Sequence, residues 1–313
     1  MTPLVSILIP AHNAEPWLAA TLESALAQTW ERREIIVVDD GSTDGTLDAA
    51  RRYAARRTGI TVLARSRRGA GAARNAAMAA ATGAYFQFLD ADDLLAPDKL
   101  ARQMALAATL SPDVVLCSTW SRFSTTPAEA DFTPQPLCTD ATPVDWMIAK
   151  FSRNAMMHPA AWLVSRELAQ RAGPWDETLT LDDDGEYFSR IVLASRGVRC
   201  CREAVSFYRS GHAPTLSRGK SAAALASAYR SLDQSAGRLL DAENSPRTRR
   251  ACATAYQQFI YDVYPRASAE RRRAAEQVVA WGGSDLPPPG GPRFQCARRL
   301  LGWRLARRLQ IRF

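Results

Sequence analysis

Two separate clusters of carboxylates are the groups in this chain best suited to chemistry. They are Asp39 and Asp40, which follow the apolar run 35–38, and Asp90, Asp92 and Asp93, which follow the apolar run 84–89. Each cluster comes directly after a predicted strand, and ligands bind at the carboxyl ends of the strands of an open parallel sheet. Carboxylate oxygens are ligands that Mg²⁺ and Mn²⁺ prefer. The pattern therefore indicates one crevice that holds a divalent metal and a nucleotide.

The elements that must position these carboxylates alternate between strand and helix. The predicted strands lie at 4–10, 35–38, 60–64, 84–89 and 114–120, and the predicted helices begin near 13 and span 46–53, 70–81 and 97–109, with Pro97 in the first turn of the last one. The second half adds strands at 161–164 and 198–209 and helices from 166 and at 185–195. This alternation predicts an α/β protein with a mostly parallel central sheet flanked by helices.

Between residues 125 and 143, prolines and threonines accumulate without any periodicity. This composition predicts a loop that crosses from the nucleotide half of the protein to a second half. Mobility of such a loop would suit a substrate lid.

Length and charge limit the class of protein. The 313 residues, 47% of them hydrophobic, suffice for one large domain and an appendage. The formal charge of +8 is uneven, because residues 220–313 hold 17 basic and 7 acidic side chains. No stretch approaches the ~20 uncharged apolar residues of a membrane-spanning helix, and the N-terminus has no basic region or small-residue cleavage site. We therefore expect a cytoplasmic protein.

The six cysteines show neither a CxxC pair nor the spacing of metal ligands. They are Cys117, Cys138, Cys200, Cys201, Cys252 and Cys296. Adjacent residues such as Cys200 and Cys201 suit an ordinary disulfide poorly. We expect reduced, mostly buried thiols.

Two motifs give the chain a resemblance to a known family. With IPAHN at 9–13 and VDDGSTDGT at 38–46, it resembles the family 2 glycosyltransferases of GT-A fold, and the resemblance covers about residues 4–215. It implies a GT-A domain at 1–219, with a nucleotide-sugar half at 1–123 and an acceptor half at 124–219. Residues 220–313 would then form a basic, mainly helical C-terminal region.

The triplet Asp90-Ala91-Asp92 matches the DxD motif of that family. The resemblance implies that Asp92 ligates Mg²⁺ or Mn²⁺, and that Asp90 and Ala91 contact the donor at the ribose, with Asp90 alternatively at the metal. A cation there would stabilise the charge that grows on the departing diphosphate. The alternative is that these acids only stabilise the N-terminus of the next helix.

The resemblance places Asp40 where a carboxylate accepts a hydrogen bond from the uracil ring N–H. The loop against base and ribose would be formed by Pro10, Ala11, His12 and Asn13. A carboxylate at the base edge favours uracil or guanine, and we expect a UDP-sugar first. The alternative for Asp39 and Asp40 is a turn that caps a helix.

Several arginines surround the turn Gly69-Ala70-Gly71, which resembles the family segment that runs beside the diphosphate. Guanidinium groups match phosphate oxygens in pairs. Arg68 and Arg74 are the preferred diphosphate ligands. The alternative is a solvated basic face beside a loop.

On the acceptor side, residues 175–179 and 182–190 resemble the family's "FDE…ED" stretch. Asp183 and Asp184 take the place of its Glu-Asp pair, which makes Asp184 the candidate general base. It would take the proton of the acceptor hydroxyl as that oxygen attacks the anomeric carbon opposite the diphosphate, which inverts the configuration. Crowded carboxylates raise one another's pKa toward useful basicity. The alternative is capping of the helix predicted to follow.

Two histidines and two tryptophans complete the candidates. The resemblance makes His212 a candidate metal or phosphate ligand, and the alternative is a histidine of a surface loop. His158, before Pro159, is a candidate acceptor contact, and neither histidine has a His partner at zinc spacing. Trp162 and Trp175 suit either sugar stacking or core packing, and core packing is the commoner role.

The tail at 293–313 contains seven arginines and no acid, interleaved with leucines and aromatic residues. It predicts either peripheral contact with an anionic membrane or packing on the catalytic domain, although on a single helical wheel the apolar and basic residues do not separate. A nucleic-acid-binding protein is a rival reading, but no nucleic-acid module is present, and we expect no nucleic acid partner. A nucleotidyltransferase is a closer rival.

Taken together, the residues and the resemblance predict an inverting, metal-dependent glycosyltransferase. It would add one sugar from a nucleotide-sugar to a saccharide or lipid-linked acceptor in bacterial cell-surface polysaccharide biosynthesis. The absence of a QxxRW motif disfavours a processive synthase.

Overall fold

The computed structural model describes residues 2–211 and 221–312, without the side chains of 311 and 312. Its strands are β1 (Val5–Ala11), β2 (Arg33–Asp40), β3 (Ile60–Arg65), β4 (Tyr85–Phe88), β5 (Leu94–Leu95), β6 (Val114–Phe123), β7 (Val164–Ser165) and β8 (Gly197–Arg209). Its α-helices are α1 (Glu15–Leu26), α2 (Thr46–Arg56), α3 (Ala70–Ala80), α4 (Lys99–Ala107), α5 (Pro143–Arg153), α6 (Arg166–Ala172), α7 (Asp183–Ala194), α8 (Ala222–Ala242), α9 (Pro246–Val263), α10 (Ser268–Ala280) and α11 (Pro292–Arg312).

The larger sheet has the strand order β3-β2-β1-β4-β7. The first four strands run parallel, and only β7 is antiparallel, to β4. The side chains of β1 are almost all buried, as expected of a strand covered on both faces by helices. The predicted α/β architecture with a mostly parallel sheet is therefore confirmed.

A second sheet, β5-β8-β6, was not predicted. The strand at 114–120 was expected to extend the parallel sheet, but as β6 it pairs in parallel with β8, from Val114 opposite Gly197 to Phe123 opposite Arg209. An apolar run predicts a strand but does not predict which strand pairs with it. The partner of β6 could not be predicted because β8 lies far along the chain. The two sheets are linked by an antiparallel bridge between Leu116 and Leu163.

Three predicted boundaries are wrong. Helix α4 begins at Lys99, so Pro97 precedes the helix instead of lying in its first turn. Helix α7 begins at Asp183 and not at residue 185. The strand expected at 161–164 is a 3₁₀ turn at Pro159–Ala161 followed by the two-residue β7, because this buried apolar run gives no periodicity that would separate a turn from a strand.

Two apolar clusters cover the faces of the larger sheet. Leu8, Ile36 and Val38 point into one cluster, whereas Ile7 and Ile9 point into the other, as alternation along a strand requires. The first cluster also holds both candidate sugar-stacking tryptophans, which are buried at 0% (Trp162) and 2% (Trp175) exposure. These tryptophans are therefore core residues.

The expectation of reduced thiols is wrong for one pair, because Cys138 is bonded to Cys200. Cys200 lies on β8, and the bridge between Ala141 and Val198 brings the segment before α5 alongside that strand. A pairing across 62 residues depends on this tertiary contact and has no local sequence signal. Cys117 and Cys201 remain buried free thiols.

The C-terminal helices pack on the predicted acceptor half, residues 124–219. Helix α8 contacts α7, α9 contacts α5, and residues of both helices, such as Leu225 and Tyr256, belong to the first apolar cluster. No helix in the described part of the chain is long and apolar enough to cross a membrane. The predicted domain boundary at 219 stays a prediction, and His212 lies outside the described residues.

Candidate active site

Both carboxylate clusters lie at the same edge of the larger sheet. Strand β1 is hydrogen-bonded to β2 on one side and to β4 on the other, and all three run parallel. Asp39 and Asp40 end β2, and the acidic turn at 90–93 follows β4. The order of the strands therefore brings together residues that are far apart in the sequence.

Asp40 organises the turn before α3. Its carboxylate accepts hydrogen bonds from the backbone N–H groups of Arg68 (3.0 Å) and Gly69 (2.7 Å), and its side chain is 4% exposed. Gly69 has φ +102°, a conformation that favours glycine. Asp39 uses one oxygen to accept from the Ser42 N–H at 3.2 Å, while its buried Oδ1 has no hydrogen-bond partner among the described residues. The unpaired acceptor at this edge thus belongs to Asp39, not to Asp40.

The loop after β1 is tied to the loop after β2. His12 Nδ1 donates to the carbonyl of Asp40 at 3.0 Å, and Asn13 Oδ1 accepts from the Thr43 N–H at 2.8 Å. Asn13 has φ +49°, which asparagine tolerates better than most residues. Of the other predicted loop residues, Pro10 is half-buried and Ala11 is buried. These bonds hold the loop 10–13 rigidly beside the two aspartates.

Arg74 connects the two acidic parts of the site. Its guanidinium donates to Asp90 at 2.7 Å and to Asp183 at 2.8 Å, and it lies 4.4 Å from the centroid of the Trp175 ring. The side chain is 6% exposed, and its Nε has no partner among the described residues. Contact with a diphosphate stays a prediction for Arg74, whose terminal nitrogens are engaged by carboxylates.

Arg68, the other candidate diphosphate ligand, is open to solvent. Its side chain is 61% exposed and pairs with Glu177 at 2.6 Å. Because an exposed ion pair contributes little to stability, this guanidinium is free to exchange Glu177 for a phosphate at low cost. Asn75 also donates to Glu177, at 3.0 Å, and fixes the position of that carboxylate.

Asp93 and His158 form a buried polar pair beneath the DxD triplet. Asp93 accepts from the Arg209 N–H at 2.8 Å and from His158 Nδ1 at 3.0 Å, and His158 Nε2 accepts from the Ser206 hydroxyl at 2.9 Å. Burial lowers the pKa of His158 to about 3, which keeps the ring neutral, and raises the pKa of Asp93 well above its usual value. His158 is completely buried, so the expectation that it contacts the acceptor is wrong.

Asp92 and Asp90 fit a divalent cation. Burial, followed by the like charges of Asp93 and Asp90, raises the pKa of Asp92 to about 7. A cation relieves repulsion among carboxylates, and these oxygens have the hardness that Mg²⁺ and Mn²⁺ require. The turn is held by Arg209, which donates to the Asp92 carbonyl at 2.7 Å. Ala91 is buried and its carbonyl accepts from the Thr21 hydroxyl at 2.9 Å.

The candidate base Asp184 lies in the first turn of α7. Burial, followed by the charges of Asp183 and Asp182, raises the pKa of Asp184 to about 7. Its Oδ1 accepts from the Gly185 N–H at 2.9 Å. A side chain at Gly185 would collide with the Asp182 carboxylate, which explains the glycine at this position. Lys150 on α5 donates to the Gly185 carbonyl at 2.9 Å and holds the turn from the other side.

Helix α8 supports this acidic turn. The supporting role of α8 was not predicted from the sequence. The Ser227 hydroxyl accepts from the N–H groups of Thr180 (2.8 Å) and Leu181 (3.0 Å). The Ser231 hydroxyl donates to the carboxylate of Asp182 at 2.6 Å. Serines in an alanine-rich helix give no signal of this role, because each contact depends on how α8 docks.

A cavity of about 440 Å³ lies between β6, the loop that follows it and the end of α5. We call it the β6 cleft; its walls include Trp120, Arg122, Glu129, Asp131, Arg153 and Asn154. Arg153 ends α5, one turn after Lys150, which bonds the turn of Asp184. On the other side, β6 leads to Ser124, whose carbonyl accepts from Arg209, the residue that holds Asp92. The walls of the cleft are therefore continuous along the chain with Lys150 and Ser124, whose contacts reach the turns that hold the candidate base and the candidate metal ligand.

The profile of one sequence family, "Glycosyl transferase family 2", matches residues 6–166, which contain strands β1 to β7 and both sheet-edge carboxylate clusters. The chain belongs to glycosyl transferase family 2. The predicted family is confirmed.

Among family 2 relatives, the chain is 38% identical over 125 residues to the putative glycosyltransferase EpsH of Bacillus subtilis, covering 40% of this chain and 36% of that protein. It is 42% identical over 106 residues to the UDP-Glc:alpha-D-GlcNAc-diphosphoundecaprenol beta-1,3-glucosyltransferase WfaP of Escherichia coli, covering 34% and 42%. The chain thus spans less than half the length of these two curated relatives.

Solved structures confirm the GT-A-type fold. The S. aureus TarS 1-349 complex with UDP-GlcNAc has a TM-score of 0.71 at 18% identity, over 89% of this chain and 81% of that one. The mannosyltransferase PcManGT of Pyrobaculum calidifontis, in complex with GDP-Man and Mn²⁺, has a TM-score of 0.55 at 21% identity, over 99% and 87%. At these identities the likeness is one of fold.

Proposed function

We propose that the protein is an inverting, metal-dependent glycosyltransferase that adds one sugar from a nucleotide-sugar to a saccharide or lipid-linked acceptor. The observation that carries this proposal is the bridge made by Arg74. One buried guanidinium bonds Asp90 of the DxD triplet and Asp183 beside the candidate base. The bridge would keep a donor bound at Asp90 at a fixed distance from an acceptor activated beside Asp183. An in-line displacement needs such a fixed distance between the reacting groups.

On the donor side, Asp92 and Asp90 would hold Mg²⁺ or Mn²⁺. The bound cation would supply charge stabilisation to the departing diphosphate. The exposed Arg68 would contact the same phosphates. Asp39, whose Oδ1 lacks a partner among the described residues, would accept the ring N–H of the base, while the loop 10–13 lies against base and ribose.

On the acceptor side, Asp184 would act as the general base. A carboxylate with a pKa near 7 accepts a proton far better than one with an ordinary pKa and is still ionised in much of the protein at neutral pH. The acceptor oxygen would bond to the anomeric carbon as the bond to the diphosphate oxygen breaks, and its proton would pass to Asp184. Attack from the face opposite the diphosphate inverts the configuration.

The β6 cleft would hold the acceptor saccharide. Its walls carry both arginines and carboxylates, together with Asn154, a mixture that can hydrogen-bond sugar hydroxyls as donors and as acceptors. Five of its twelve lining residues come from the loop 125–143.

A UDP-sugar is the preferred donor, and the process is bacterial cell-surface polysaccharide biosynthesis. The names of two similar proteins support the first part, since WfaP is described as using UDP-Glc and the TarS complex holds UDP-GlcNAc. WfaP is also described as acting on a diphosphoundecaprenol-linked sugar, which favours a lipid-linked acceptor here. We place the protein in the cytoplasm, at the inner face of the plasma membrane, where the basic C-terminal region would contact anionic lipid.

The test is release of nucleoside diphosphate from a panel of UDP-, GDP- and dTDP-sugars with and without Mn²⁺. Wild-type protein should release one of the three nucleoside diphosphates, and only when Mn²⁺ is present. Asp92→Ala should abolish this release. Asp98→Asn changes a partly exposed acid that precedes α4 and pairs with Arg102, and it serves as the matched control that keeps wild-type turnover. Release of pyrophosphate would instead identify a nucleotidyltransferase, and turnover unaffected by Asp92→Ala would reject the site.

A further inference from the structure

Helix α11 exposes leucines to solvent. The exposed fractions are 87% for Leu300, 47% for Leu301, 46% for Leu305 and 39% for Leu309. Within the described residues, every exposed leucine of the protein lies on this helix. Single exposed leucines are common on protein surfaces, but a group of them on one element indicates an interaction surface.

A break in α11 brings two of these leucines, Leu301 and Leu305, together with two arginines. Gly302 has φ +73° and ψ 155°, so the helix is divided there into two parts. After the break, Arg304 and Arg308 share one face at a spacing of four residues, and Leu305 and Leu309 share the adjacent face. A cavity of about 390 Å³ at the break is lined by Leu301, Leu305, Arg304 and Arg308. One helical wheel for 293–313 fails to separate apolar from basic residues because the helix is not continuous.

The opposite face of α11 is already used for packing. Phe294 is 5% exposed and Ala306 is 3% exposed. The ring of Trp303 lies 4.9 Å from those of Tyr261 and Tyr264. Packing on the C-terminal helices therefore accounts for these three residues and leaves the leucines outside.

The charge of this region is of one sign. From residue 286 to the end of the sequence there is no Asp or Glu. Arg307 is partly buried and is used internally, since it lies over the Phe294 ring at 4.5 Å. Arg304 and Arg308 are exposed and lie beside the leucines. A partner of this surface must therefore offer negative charge and apolar volume side by side.

We propose that this surface, formed by Leu300, Leu301, Leu305, Leu309, Arg304 and Arg308, docks on a bilayer that contains anionic phospholipid. The leucines enter the boundary between headgroups and acyl chains, and the two arginines pair with lipid phosphates at the cavity beside Gly302. The inference rests on the proposed location at the inner face of the membrane and adds the residues that produce it.

The test is co-sedimentation of the full-length protein with vesicles of phosphatidylcholine, with and without phosphatidylglycerol. Binding should require phosphatidylglycerol and should weaken as salt rises. Arg304→Ala/Arg308→Ala should weaken binding roughly 30-fold. Leu300→Asp/Leu305→Asp should weaken it at least tenfold, because charged residues oppose insertion of the helix. The matched control is Arg51→Ala/Arg52→Ala, which removes two exposed arginines from α2 and should leave binding within a factor of about three.

Three results would overturn the proposal. The first is that wild-type protein binds neutral vesicles as tightly as anionic ones. The second is that either α11 double variant binds as tightly as wild type. The third is that the α2 control loses as much binding as the α11 variants. A dimer that the leucine variant abolishes, together with no vesicle binding by the wild type, would also reject it and identify an interface between two copies. Donor turnover is measured in the same preparations without vesicles, so failure of the proposed enzyme activity and failure of membrane docking are separate results.

Discussion

Arg74 donates to Asp183 at 2.8 Å from a position where its side chain is 6% exposed. The same guanidinium donates to Asp90, so a single cation from α3 neutralises carboxylates that reach it from β4 and from α7. The pKa of Arg74 is raised because the attraction of these carboxylates outweighs its burial. The two halves of the site are thus joined by charge.

Removing this cation should destabilise the protein strongly. Arg74→Met leaves the partly buried carboxylates of Asp90 and Asp183 without their partner, and breaking an ion pair that is buried on one side in this way costs up to about 3–5 kcal/mol. Urea unfolding measures the free energy of unfolding. Arg68→Ala, which breaks an exposed pair with Glu177, is the control and should cost less than about 1 kcal/mol. Similar losses in both variants would show that Arg74 does not link the halves.

Replacing the candidate base should affect turnover far more than donor binding. Asp184→Asn keeps the shape of the side chain but removes the proton acceptor, so kcat should fall by roughly 10²–10⁴ while the KM for the donor changes little. Because the pKa of Asp184 is about 7, wild-type kcat should rise with pH and reach half its maximum near pH 7. Steady-state kinetics across this pH range measure both effects, and a kcat independent of pH would argue against Asp184 as the base.

The same substitution should make the protein more stable at alkaline pH. Asp184 has a pKa raised from 3.8 to about 7 in the folded protein. Below 3.8 the carboxyl is protonated in both states; as pH rises toward 7 the unfolded chain releases the proton more readily, so stability falls. Asparagine has no such proton to release. The urea midpoint of Asp184→Asn, measured with a chelator present, should therefore be higher than that of wild type above pH 7 and equal to it near pH 4. A variant that is less stable than wild type at alkaline pH would contradict the raised pKa of Asp184.

His158 should prove to be a stabilising residue and not an acceptor ligand. His158→Phe removes the donor to buried Asp93 and leaves that carboxylate short of a partner, which costs about 1–3 kcal/mol. Thermal and urea unfolding measure the loss. In the folded variant, the KM for the acceptor should stay near that of wild type. A raised acceptor KM with unchanged stability would instead restore the role expected from the sequence.

The sequence was a good guide wherever an apolar run ends in a chemically distinctive residue. Strands β2 and β4, with Asp40 at the end of one and Asp90 after the other, were predicted from local patterns, and the parallel sheet followed from their alternation with helices. The family motifs lie in the same stretch. The family and the fold could therefore be predicted from the first hundred residues.

Contacts between distant segments could not be predicted in the same way. The bond of Cys138 to Cys200 and the pairing of β6 with β8 both depend on where the chain returns after more than sixty residues. His158 precedes a proline, as many loop residues do, but the fold closes over it. The roles proposed for Asp92 and Asp184 stay predictions.

The hydroxyl contacts from α8 have a consequence for how this protein can diverge. Ser227 and Ser231 fix the backbone around Asp182 from a helix that lies outside the family-matched residues 6–166. The donor-facing strands can therefore stay unchanged while substitutions in α8 shift the turn that presents Asp184. Under the proposed role of Asp184, such a division would let acceptor preference evolve independently of donor preference. A chimera that grafts the strands β1–β7 onto another C-terminal region would then also exchange the serines that hold the turn before Asp184.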